Sequence, residues 1–105
     1  MLDFYAVDDA ERVRPKMLNA QTCAGGLEID TYVALEPVWA VLRGEGIRPN
    51  YMRDFRLTAG QVVRALVVVD TLVGAGEVGP EPGQALRRLL MTAANAGKGL
   101  VAAAD

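Results

Sequence analysis

The chain has 105 residues, 51% of them hydrophobic and 23% charged, and its 11 Lys and Arg against 13 Asp and Glu leave a formal net charge of -2. That length holds one domain with a single real core, and that composition lies well away from the low-hydrophobicity, high-charge signature of disorder. A sequence pI near 5.1 argues against a general nucleic-acid binder, which carries a basic excess over the whole domain.

Two further absences narrow the chemistry. The chain has one cysteine, Cys23, and no histidine, so no intrachain disulfide forms and the commonest general base and zinc ligand are both missing. The opening MLDFYAVDDAER carries acids where a secretory signal needs a basic start, and the longest apolar run, 65–69, falls far short of the roughly 20 residues of a membrane span. The expectation is a cytoplasmic protein of residues 1–105 as a single domain, with no membrane or nucleic-acid partner, no cofactor and no metal.

In chain order, Leu2 to Val7 concentrates aromatics and a valine and reads as a short edge strand or an extended arm, stopped by Asp8 and Asp9. Asp9 can cap a turn through Arg12, and Asp8, Asp9 and Glu11 read most simply as a solvated acidic edge. From Pro15 to Gly26 no apolar period persists, and the segment reads as loop closed by Gly25-Gly26. A helix is expected from about Asp30 to Arg43, because Tyr32, Leu35, Trp39 and Leu42 recur at helical spacing. Pro37 lies inside that pattern, so the helix must kink there or restart with Pro37 in its first turn.

Ile47 to Arg56 is a connector whose reversal point is Pro49-Asn50. It leads into LTAGQVVRALVVVDTLVGAG, where Thr58 and Gln61 have the spacing of a capping box and Leu57 and Val62 that of a hydrophobic staple. This is the expected central core helix, Thr58 to Val73, apolar around most of its circumference; the run of Val67, Val68 and Val69 leaves a buried strand as the alternative. Gly76 to Gly83 is loop, and a third helix is expected from about Pro82 to Ala96 with Pro80 or Pro82 in its first turn. Leu100 to Ala104 reads as a final helical turn or a frayed tail. The predicted fold class is therefore mainly α, a small helical bundle with a short N-terminal extended segment.

Gly74, Gly76 and Gly79 spell G-x-G-x-x-G after a valine-rich run, but Pro80 and Pro82 follow at once, where a dinucleotide site needs a helix opening on the pyrophosphate. They read as helix termination, as do Gly97 and Gly99 around Lys98. No catalytic residue is assigned. The one carboxylate of interest is Asp70, placed by the helical wheel on the apolar side and so a possible buried acid, either paired with an arginine or acting beside a second carboxylate in a cleft. The charge asymmetry worth a hypothesis is the connector: Arg43, Arg48, Arg53 and Arg56 with Tyr51 among them are residue types enriched at the centres of protein interfaces.

The order Leu35-x-Pro37, Leu42-Arg43, Gly46-Ile47, Tyr51, Arg56-Leu57-Thr58 and Gln61 loosely resembles a pattern in small bacterial proteins, some of them immunity proteins of polymorphic-toxin systems. The resemblance implies a non-enzymatic protein that binds and neutralises a toxin. Two other classes stay open: a small cofactor-free enzyme using Asp70, and a self-assembling accessory subunit. The high apolar content of a small domain further predicts a homodimer through helix faces.

Overall fold

The computed structural model describes residues 1–10 and 23–104. Among them the elements run β1 (Leu2–Val7), β2 (Cys23–Leu27), α1 (Ile29–Ala34), α2 (Glu36–Gly44), β3 (Phe55–Leu57), α3 (Ala59–Gly74), α4 (Pro80–Asn95) and β4 (Gly99–Ala104). The strands form one antiparallel sheet in the order β2-β1-β4-β3. The fold is thus α/β, and the expectation of a mainly α bundle is wrong. The turn expected from Asp9 through Arg12 runs into residues outside those described, as does the part over 15–22 of the loop expected over 15–26.

The correction turns on the C-terminal segment. Leu100 to Ala104, read as a helical turn or a frayed tail, belongs to β4, which pairs with β1 on one side and β3 on the other and so sits inside the sheet. An alanine-rich stretch is a poor strand former in isolation, but strand preference is mostly packing, and here the packing wants small residues. Ala102 is fully buried between Phe4 of β1 and Phe55 of β3 in one register row, and across it the two rings meet edge to face at 6.1 Å. On the other side of Phe4 stands Gly25, where an added Cβ would lie 2.8 Å from a methyl of Leu89 on α4. Gly25 and Cys23, expected as loop, therefore belong to an edge strand whose small residue admits the helix above.

Among the described residues, the helices pack on the sheet face bearing Leu2, Phe4, Leu27, Phe55, Leu57, Leu100 and Ala102. There α4 lies over β2 and β1 and α3 over β4 and β3, side by side, with α1 against α4 and α2 against α3. The α3–α4 approach depends on Gly83, since a side chain there would strike Val73. The stretch from Ala65 to Val69 is helical, not a strand. It is not buried all round, however: packed on one face of the sheet with its opposite side outward, it buries Val62, Ala65, Val68 and Val69 while Val63 and Val67 stay 56% and 51% exposed.

Local signals position these helices. Thr58 and Gln61 form the expected capping box, with Gln61 N donating to Thr58 Oγ1 at 3.2 Å and Thr58 N to Gln61 Oε1 at 2.8 Å. Asp9 adds to it by accepting from Ala59 N at 2.9 Å, so it is a cap and not merely a solvated acid. The helix expected from Asp30 to Arg43 breaks at Leu35 and restarts as α2 with Pro37 in its first turn. At the break, the Trp39 indole donates to the Tyr32 carbonyl at 2.8 Å. Three helices end alike: Gly46, Gly76 and Gly97 take φ of 89°, 76° and 67°, and the following amides reach back to Leu42, Leu72 and Ala93. That is the Schellman arrangement, which needs a left-handed residue just past the helix end.

Candidate protein-binding surface

The connector between α2 and β3 is held at both ends and in the middle. Ile47 is buried where the connector leaves α2, and its amide closes the end of that helix on the Leu42 carbonyl. Phe55 is buried where it leaves, and Asp54 just before accepts from the Ala104 amide at 2.8 Å, tying the loop to the end of β4. Between them Asn50 Oδ1 accepts from Met52 N at 2.8 Å, an Asx turn that follows directly on the fixed φ of Pro49. Tyr51 packs edge-on to Tyr32 at 5.4 Å, and Tyr32 in turn stacks on the buried Trp39 at 4.9 Å.

This anchoring leaves Arg48, Met52 and Arg53 projecting into solvent, Met52 at 74% exposure. Neither Arg48 nor Arg53 is in an ion pair among the described residues; Arg48 Nη1 donates only to the Ile47 carbonyl, at 3.3 Å. Next to Tyr32, α1 exposes Ile29 and Val33 on adjoining positions of one helical face. The connector is thus aromatic where Tyr51 meets Tyr32 and cationic at Arg48 and Arg53.

The arginines singled out from the sequence do not all belong to it. Arg43 lies in the last turn of α2, ion-paired with Glu36, whose carboxylate holds the guanidinium above its ordinary range. Arg56 is half-buried in β3, on the sheet face turned away from the helices, and donates to the Asp8 carbonyl at the end of β1. It ties strands together. Arg48, Tyr51 and Arg53 share one loop as expected. Met52, Ile29 and Val33 were missed, although Ile29 and Val33 already fall off the Tyr32–Leu35–Trp39–Leu42 stripe in the helical pattern.

Asp70 is not a buried acid. Its side chain is 55% exposed and accepts from Arg87 Nε at 3.1 Å, because α3 turns that arc toward solvent beside α4 and not toward the sheet. The groove between α3 and α4 at this point is lined by Val69, Asp70, Val73, Pro80, Gly83, Gln84 and Arg87, so Asp70 has no second carboxylate beside it among the described residues. Among the described residues no group of three or more Cys, Asp or Glu is placed to hold a metal ion.

No protein-family model, curated protein or solved structure matches the chain. Among the described residues no helix is long and apolar enough to cross a membrane.

Proposed function

We propose that this protein is a non-enzymatic protein-binding module of the immunity or antitoxin type, which acts in the cytoplasm by covering an acidic face of one protein partner. The observation that carries this reading is the connector: a turn fixed by Pro49, Asn50, Tyr51 and Asp54 that projects Met52 between Arg48 and Arg53. A side chain held on a preorganised loop loses little ordering entropy on binding, so more of its contact energy is retained as affinity. Met52 supplies an adaptable apolar contact, and the two arginines supply planar donors matched to carboxylates.

The test begins with affinity capture of a partner on the intact chain and proceeds to binding measurements on variants. Reversing Arg48 and Arg53 to Glu weakens binding by well over about 10-fold, mostly through slower association at low salt, while the melting temperature hardly moves. Met52→Ala weakens it through faster dissociation. An affinity unchanged by all three substitutions returns the loop to an ordinary solvated connector.

A further inference from the structure

Among the helices, α1 has the least to hold it down. It has six residues, none of them buried, and its N-cap residue, Glu28, makes no side-chain bond to the helix start. A helix that short has little stability of its own. Ile29 and Val33 are 53% and 63% exposed, so burial adds little there. The chain on either side is nevertheless fixed: Leu27, at the end of β2, and Leu35, at the break before α2, both lie in the core. Residues 28–34 thus form a short bridge between two buried leucines.

One residue closes this bridge onto the body of the protein. The Tyr32 ring stacks on Trp39 at 4.9 Å and meets Tyr51 of the connector edge-on at 5.4 Å, and the Tyr32 carbonyl accepts from the Trp39 indole at 2.8 Å. The approach of α1 to α4 adds no buried residue. We infer that α1 is a hinged lid over Trp39, turning at Glu28 and Leu35 and latched by Tyr51. Lifting it uncovers one face of Trp39 and takes the packing partner from Tyr51, while both leucines stay in the core. Little apolar surface is exposed, so the lid opens at far lower free energy than the sheet or α3. What this device does for the protein rests on the reading of the connector as a binding surface: a partner that grips Arg48, Met52 and Arg53 holds Tyr51 in place and so keeps α1 shut.

Hydrogen exchange of the Trp39 indole N–H tests the lid on the intact chain without any partner, so its outcome is separate from that of the binding reading. Trp39 is the one tryptophan of the chain, and its indole is bonded to the Tyr32 carbonyl, so it exchanges when α1 lifts. Its protection is expected to be at least about 100-fold below that of the Val69 amide, buried in α3, and to change little with low concentrations of urea. Tyr51→Ala should lower the indole's protection relative to Val69 by at least about 5-fold, and Tyr51→Phe, which keeps the ring, should preserve it. Tyr51→Leu, which removes the ring edge but keeps apolar bulk, takes the place of Tyr51→Ala should that variant unfold, with a smaller loss in the same direction. An indole as protected as Val69, with the same dependence on urea, overturns the lid. A ratio unmoved by loss of the Tyr51 ring overturns the latch.

Discussion

Tyr32 joins the aromatic cluster to the ion pair of α2. Burial pushes its phenol above the ordinary value of 10.0, Glu36 pushes it further, and Arg43 pulls it partly back. The folded chain thus keeps a proton that the unfolded chain releases above about pH 10, so the contribution of this residue is intact below the unfolded pKa and is lost as pH rises from there through the folded value. Melting temperatures measured near pH 9 and near pH 11 should fall further in the parent than in Tyr32→Phe. Equal losses would show that Tyr32 has no part in the alkaline transition. Asp70 makes the contrasting point at this scale: an exposed pair with Arg87 contributes about 0–1 kcal/mol, far less than a buried one would.

At the scale of elements, the start of α3 is fixed by more than its own residues. Thr58 and Gln61 satisfy each other's backbone donors, and Asp9, 50 positions away from Ala59, satisfies that amide. The cap therefore also ties the end of β1 to the helix that covers β4 and β3. Asp9→Ala is expected to cost about 1 kcal/mol, comparable to Thr58→Ala. In a domain of this size that lowers the melting temperature by about 4–8 °C per kcal/mol. Chemical denaturation with an unchanged midpoint would restore Asp9 to the solvated edge. The capping box was legible because its two residues are three apart; the share of Asp9 was not, because only the folded chain brings it to Ala59.

At the scale of the molecule, the sheet works by alternation of size. Across its middle row stand Gly25, Phe4, Ala102 and Phe55, small beside large, so that two rings share the space over an alanine and a leucine of α4 descends over a glycine. Ala102→Leu would force the rings apart and is expected to cost about 1–3 kcal/mol. Ala103→Leu, one residue on and half-buried on the opposite face, should cost much less. Similar losses for the two would mean that overpacking at this row is not what limits stability.

The sequence by itself determined what depends on neighbours along the chain. The capping box at Thr58, the restart of the helix at Pro37 and the glycine stops after α2, α3 and α4 were all readable, because each is a contact between residues a few positions apart. The Arg48–Arg53 turn was readable for the same reason. Only the tertiary structure decided which elements are central. Leu100 to Ala104 has no strand signal of its own and becomes an inner strand because β1 and β3 supply its hydrogen bonds and Phe4 and Phe55 need its small side chains between them. Once that sheet forms one layer of the fold, the most apolar helix lies on it with one side only, and Val67 and Asp70 turn outward together. Hydrophobicity along one helix states how much surface must be covered, but which side is covered depends on partners drawn from elsewhere in the chain.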